Sequence, residues 1–480
     1  MKPLNKGFLT IVMLIGVTTL ALVYVENKNQ AVATVIPVPA VSNDELVVID
    51  TKLIQDKVLQ GSDGTVSVAL TLTGANIENA IDVQQQPVDL VVVLDRSGSM
   101  EGQKIVDARQ AVIGLMERLS PRDRMAVITY SNGVERVSPL TYMTNANRQN
   151  LAARVRMIRP GGGTNLGAGL DFGISSFSSL SSVKSSDDAG RQRKIILISD
   201  GLANQGVTDP YSLGRMAANG TESRLAVSTV GVGNEFNELL MTTIADHGAG
   251  NYYFLENPIA FARVFEKEFE MTRNIVAGGL EIRIPLGDGV QLIDAGGYPI
   301  SREGNYAVIK PGDLLAGQQR KIFLTYQVPS HKAASYTLGS VHVNYLHNGV
   351  KQGVSNNQLL TVFCVQDQKA VVASIDEEAW SEQVVKEDYN KLKDNVASSI
   401  RKGRKEEALK TIEEYEVRNR SLNSSVGSRA VAENLEGEVQ SLKQSVEDTF
   451  TGAPAAVAEK KKNQAKILQY ESYQIRRDKK

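Results

Sequence analysis

The sequence predicts an α/β protein: a doubly wound, mainly parallel sheet inserted in or flanked by an antiparallel β-sandwich, followed by a C-terminal helical segment. Three observations point there. Between Pro87 and Arg273 the apolar runs PVDLVVVLD, RMAVITY, KIILISD and LAVSTVGVG alternate with helical patterns. Strands covered by helices on both faces have this unbroken apolar character. From Gly279 to Val365 strand patterns succeed one another with no helix between them, as in a sandwich. Beyond Asp376 the chain becomes charged and helical, with apolar residues at helical spacing.

Composition sets the outer limits. The chain has 480 residues and is 42% hydrophobic, enough for about three domains of roughly 150 residues each. Lys+Arg 53 against Asp+Glu 54 leaves a net charge of −1, so no global field draws it to nucleic acid. Cys364 is the single cysteine, and there are 4 histidines. That excludes an intrachain disulfide framework and a multi-cysteine zinc site.

Taken in order, the first element is a leader over residues 1–33. Lys2 and Lys6 precede an uncharged run of 18 residues from Phe8 to Val25, just long enough to span a bilayer core. The lysines favour a cytoplasmic N-terminus, so the chain beyond the run is translocated. Ala31-Val32-Ala33 suits a cleaved signal peptide. The length of the run and the polar ENKNQ stretch suit a retained anchor. Both readings stand, and both place the remainder in the periplasm or outside the cell, with residues 8–25 able to tether it to the inner membrane. A chain that keeps one thiol suits an oxidising compartment.

Residues 44–86 hold two alternating runs, ELVVIDTKLIQ and TVSVALTLT, broken by Asp63-Gly64, which read as two strands and a tight turn. Such a pair has too little surface to stand alone. It is expected to join the strands of residues 276–367, making residues 87–273 an insertion in a split sandwich. Within that insertion Ile105, Ala108, Val112, Leu115 and Leu119 mark one face of a helix. Asn132-Gly133 predicts a hairpin to an antiparallel edge strand, VERVS. The later sandwich shows six strand runs and a further Asn348-Gly349 hairpin signal.

Residues 376–450 read as a helical hairpin with two apolar stripes. One is Val385, Tyr389, Leu392, Val396 and Ile400; the other is Val431, Leu435, Val439, Leu442 and Val446. Packing on itself or on a neighbour is the simple reading, and a partner-binding coiled coil is the alternative. Residues 451–480 are rich in lysine and arginine and are expected to be a basic, solvated tail.

The chemistry lies in three loops. Asp95-Arg96-Ser97-Gly98-Ser99-Met100 comes directly after the first buried strand. A carboxylate and two hydroxyls at alternate positions, with a glycine permitting a tight turn, can converge on one point. Gly161-Gly162-Gly163-Thr164-Asn165-Leu166 offers a hydroxyl ahead of a helix, and Ile198-Ser199-Asp200-Gly201 a second carboxylate at a strand end. An all-oxygen set suits a hard cation, and sparse protein ligation suits Mg²⁺ better than a full Ca²⁺ cage. If the strands ending at Asp95 and Asp200 are neighbours, both carboxylates flank the crevice where strand order reverses.

These three loops, in this order on this strand–helix pattern, resemble the von Willebrand factor type A domain. The resemblance covers about Pro87 to Arg273 and implies a metal-ion-dependent adhesion site of Asp95, Ser97, Ser99, Thr164 and Asp200. It further implies Mg²⁺, or Mn²⁺ or Ca²⁺ in its place, and a protein partner whose Asp or Glu carboxylate completes the ion's shell. Coupling to the segment from Pro258 to Arg273 is a further expectation. The whole layout is also similar to bacterial exported proteins related to inter-alpha-trypsin inhibitor heavy chains and calcium-activated chloride channel regulators.

Each residue also has a plainer reading. Ser97 and Ser99 could cap the next helix. Arg96 and Asn165 are placed at the partner-binding rim, and Asn165 could instead support the threonine loop. Asp171 and Asp209 read as solvated. His247 reads as a surface or cap residue, His342 and His347 as strand residues, and Cys364 as a core thiol. The functional reading is cation-dependent protein binding or adhesion without catalysis. One alternative is a structural or regulatory subunit of a membrane-tethered assembly. Another is a Mg²⁺-dependent hydrolase with Asp95 as nucleophile. Against the hydrolase, Ser97 stands where a second acid is needed and no lysine stands out in the required role.

Overall fold

The computed structural model describes residues 46–76, 87–178, 191–200, 203–222, 225–233, 236–255 and 274–476. The leader at 1–33, the segment 258–273 and the last four residues lie outside these. Among the described residues no helix is long and apolar enough to cross a membrane.

Strands β1 (Val47–Leu53), β2 (Lys57–Leu59) and β3 (Thr65–Gly74) come first. β1 and β3 pair antiparallel from Val47 opposite Gly74 to Leu53 opposite Val68. More than a tight turn joins them, because β2 between them belongs to another sheet.

The inserted domain runs β4 (Val88–Asp95), α1 (Gln103–Arg118), β5 (Arg124–Tyr130), β6 (Val134–Tyr142), α2 (Asn145–Arg156) and α3 (Leu166–Ser178). It continues with β7 (Gln192–Ser199), α4 (Pro210–Glu222), β8 (Leu225–Val232), α5 (Glu238–His247) and β9 (Ala249–Leu255). The strand order is β6-β5-β4-β7-β8-β9. Only the edge strand β6 is antiparallel, and it comes after the Asn132-Gly133 turn. Every residue of β4 and β5 is buried. Alternate side chains enter two cores: Leu90, Val92 and Leu94 meet Ile105, Val112 and Leu115 of α1. Val91 and Val93 meet Leu166 and Leu170 of α3 and Ile244 of α5. The two-residue period of a strand thus serves both faces, and each such aliphatic side chain contributes about 1.5–3 kcal/mol on burial.

The chain leaves β4 for β5 on one side and returns to β7 on the other. Strand order therefore reverses between β4 and β7, and a crevice opens beyond their carboxyl ends.

The sandwich continues as β10 (Ile275–Pro285), β11 (Gln291–Ala295), β12 (Ile300–Glu303), β13 (Tyr306–Leu315) and β14 (Gln319–Gln327). Then come β15 (Ala334–Leu338), β16 (Val341–His347), β17 (Val350–Asn356) and β18 (Leu360–Val365). The sheets are β1-β3-β14-β11, β12-β13-β10-β16-β17 and β15-β18-β2. β3 pairs with β14 from Thr65 opposite Gln327 to Thr73 opposite Gln319, so strands on either side of the insertion share one sheet. Val68, Leu70 and Leu72 meet Ile282, Ile309 and Val343 in its core. The single run YTLGSVHVNYL is two strands in different sheets. It breaks at Gly339, where a side chain's Cβ would stand 1.8 Å from the Pro285 carbonyl oxygen. Cys364 is free and buried.

After α6 (Gln368–Ala373) come α7 (Glu377–Glu382), a π-helical stretch (Gln383–Asp388), α8 (Tyr389–Arg401) and α9 (Lys405–Val426). The last elements are α10 (Arg429–Glu433), a second π-helical stretch (Asn434–Glu438), α11 (Val439–Thr449) and α12 (Pro454–Arg476). Both apolar stripes are used. They share a core with Ile54, Ala69 and Phe323, so the helices cover the outer face of the β1-β3-β14-β11 sheet.

Two expectations need correction here. Residues 376–450 pack on a neighbour as the simple reading had it but form more helices than a hairpin, and most of the basic tail 451–480 is the packed helix α12. Ala465, Leu468 and Tyr473 are buried, and the Tyr473 hydroxyl accepts the Tyr252 N–H of β9 at 3.0 Å. Lys466 is buried against Glu238 of α5 at 3.2 Å, with its ammonium 3.9 Å from the Phe236 ring centre. Lysines counted as solvated charge include one that is an internal ion-pair partner.

Candidate metal centre

β4 and β7 end side by side, with Leu94 opposite Ile198. Asp95 closes β4 and Asp200 comes just after β7, both 0% exposed. The chain after Asp95 turns through a short 3₁₀ segment, Gly98–Met100, anchored by the buried Met100. This turn brings Ser97 and Ser99 back over the crevice. Their hydroxyls are 3.0 Å apart, and Ser99 Oγ donates to Asp200 Oδ1 at 2.9 Å. Ser97 makes no side-chain capping bond, so it does not serve as the helix cap.

The third loop is tied on by its backbone. Gly98 N–H donates to Gly162 O at 2.9 Å, and Gly161 N–H to Arg96 O at 2.7 Å. Gly162 has φ +88 with the Asn132 amide 3.2 Å from where a Cβ would lie, a conformation and a close approach that suit glycine. Asn132 Oδ1 accepts the Gly163 N–H. Thr164 is buried, and its N–H donates to Asn204 Oδ1 at 2.9 Å. Asp95, Ser97, Ser99 and Asp200 thus lie in one hydrogen-bonded neighbourhood, and Thr164 sits on a loop fastened to it.

Arg96 and Asn165 are placed differently from one another. Arg96 is partly exposed and pairs with Glu135 at 3.6 Å, at the edge of the crevice. Asn165 caps α3: its Oδ1 accepts Ala168 N–H at 3.2 Å, the supporting role that was its plainer reading. Asp209 likewise caps α4 through Ser212 N–H at 2.8 Å. His247 ends α5.

Four participants are not evident in the sequence. Asp95 Oδ1 accepts Ser97 N–H at 2.7 Å, while Oδ2 accepts Ser199 Oγ at 2.7 Å and Tyr130 Oη at 3.3 Å. Burial pushes the Asp95 carboxyl above its ordinary range, against the pull of the Ser97 and Ser199 bonds. Burial, and then the neighbouring Asp95, drive the Tyr130 hydroxyl well up, so it remains a donor. Asn132 and Lys104 complete the set. Lys104 Nζ ion-pairs with Asp200 Oδ2 and donates to Ser99 O at 3.3 Å. A lysine does therefore stand beside the site, contrary to the expectation from sequence. One signal for Lys104 was available: a lysine in the first turn of a helix opposes the helix dipole.

The donor chemistry can be tested against a cation. No group of three or more His, Cys, Asp or Glu is assembled among the described residues, so hydroxyls must contribute to any such site. Two carboxylates with serine and threonine hydroxyls make a hard, oxygen-only set, which fits Mg²⁺ chemistry.

Fold and loops together define a von Willebrand factor type A domain, and residues 89–267 match the family model of that name. An uncharacterized protein of Synechocystis is 26% identical over 270 residues, covering 54% of this chain and 61% of that protein. A human inter-alpha-trypsin inhibitor heavy chain is 29% identical over 164 residues, covering 34% of this chain and 18% of that protein. The chain thus spans less than two thirds of either relative. A von Willebrand factor type A protein from Catenulispora acidiphila has the same fold at TM-score 0.65 and 15% identity, over 90% of this chain and 98% of that one.

Proposed function

We propose that the protein binds another protein through a divalent cation held by Asp95, Ser97, Ser99, Thr164 and Asp200. The observation that carries this reading is the meeting of Asp200, Ser97 and Ser99 beside Asp95 at the switch point, with Ser99 on the exposed side. Mg²⁺ is the ion we favour, with Mn²⁺ or Ca²⁺ as substitutes. The ion would supply a Lewis-acid position for an Asp or Glu carboxylate of the partner, a stronger bond than a surface salt bridge.

The chain's own residues do the preparation. Ser199, Tyr130 and the Ser97 N–H hold Asp95 in one orientation, and Ser99 holds Asp200. Fixed donors lower the ordering cost of binding. We expect binding without turnover, with Asp95 and Asp200 serving the cation as ligands. The protein acts after export, in the periplasm or outside the cell, either released or tethered by residues 8–25.

The test is capture of partners from an envelope extract by the exported chain. Capture in Mg²⁺ that is lost in EDTA and with Asp95→Ala supports the proposal. Capture indifferent to both overturns it.

A further inference from the structure

Lys104 has an unusual position. It lies in the first turn of α1 (Gln103–Arg118), where the helix dipole disfavours a cation and no acidic residue of that turn compensates it. What holds its ammonium there is the crevice: Asp200 Oδ2 and the Ser99 carbonyl oxygen. Asp200 is 0% exposed and its other oxygen is taken by Ser99 Oγ. The Lys104 side chain, 31% exposed, reaches solvent, and its stem runs past Gly233.

A dication seated among Ser97, Ser99 and Asp200 would share that carboxylate with the ammonium. Two positive charges a few ångströms apart in a largely buried site repel strongly. The carboxylate is fixed by packing, whereas a lysine head on a four-carbon stem is free to swing outward.

We propose that the Lys104 ammonium and the divalent cation are alternative partners of the Asp200 carboxylate, so that Lys104 sets the cation concentration at which the site loads. This rests on the reading of Asp95, Ser97, Ser99, Thr164 and Asp200 as a cation centre. It adds a regulator inside the chain: loading happens only where free Mg²⁺ outcompetes the tethered charge. Lys104 is in this sense a positioning residue, acting through Asp200 and not on the partner.

The experiment is titration calorimetry of the full chain with MgCl₂, for wild type, Lys104→Met and Lys104→Arg, with melting curves in EDTA and in saturating Mg²⁺. Removing the competing charge is expected to tighten Mg²⁺ binding at least about tenfold in Lys104→Met. Lys104→Arg, which keeps the charge, should stay within about threefold of wild type. In EDTA Lys104→Met should melt below wild type, and saturating Mg²⁺ should close most of that gap. Lys104→Gln, also uncharged and of similar reach, gives the same readout should Lys104→Met fail to fold. Mg²⁺ affinity equal to or weaker than wild type in the uncharged variants overturns the role of Lys104. Absence of Mg²⁺ binding in every form overturns the cation centre itself, and this inference with it.

Discussion

Asp95 and Asp89 sit at opposite ends of the same strand, and their surroundings predict opposite phenotypes. Asp89 accepts from Arg124 Nε at 2.8 Å and from Arg191 Nε at 2.7 Å, all three side chains being almost fully enclosed. Asp89→Ala leaves two buried guanidiniums without their acceptor and should cost about 3–5 kcal/mol. Denaturant unfolding would read this loss. Surviving protein should bind Mg²⁺ as wild type does, since the crevice lies beyond the other end of β4. Tyr130→Phe removes a single donor from Asp95 Oδ2 and should cost about 0.5–1.5 kcal/mol in the same assay. The residues legible in the sequence were those in contiguous runs at strand ends: DRSGSM, GGGTN and ISDG. Tyr130, and the role of Ser199 within ISDG, were hidden because both depend on register. Tyr130 faces Asp95 across the β4–β5 pairing, and Leu94 faces Ile198 across β4–β7. Loop spacing carries no information about either alignment.

Among the elements, α7 and α12 are the informative pair. Asp376 caps α7 through Ala379 N–H at 2.9 Å and pairs with Lys52 of β1 at 2.9 Å. Burial pushes its carboxyl up, but the N–H and the ammonium outweigh it and hold the carboxyl below its ordinary range. A carboxyl depressed by folding stabilises above the ordinary carboxylate range and loses that contribution as pH falls through its lowered value. Asp376→Ala should therefore cost about 1 kcal/mol at neutral pH. The deficit should shrink in acid, which a pH series of melting curves would show. Tyr473 of α12 is buried in the core of the inserted domain. Tyr473→Ala should cost about 3–5 kcal/mol, measurable as an earlier single unfolding transition. That helix reads as a solvated tail because its lysines dominate the composition. The spacing of Ala465, Leu468 and Tyr473 is the apolar signal, and it is masked by charge.

At the scale of the whole molecule, the split sandwich was legible because two lone strands before Pro87 could not bury their own faces. The pairing of β3 with β14 meets that need directly. The division of the later strands was less legible: six runs became nine strands, one by the break at Gly339, which depends on a distant carbonyl of β10, and two because the polar, largely exposed β12 and β17 carry no apolar run. The covering of the outer sheet face by helices was also hidden. It requires knowing that Ile54, Ala69 and Phe323 point away from the sandwich core.

The pairing of Thr73 with Gln319 has a consequence for biosynthesis. A nascent chain must carry β3 with one flank open until the entire intervening domain has been made. The inserted unit pairs its six strands from its own residues, whereas the part of its core that Tyr473 fills waits for the last helix. A ribosome halted shortly before residue 319 would release a chain with an adhesive strand edge still seeking its mate.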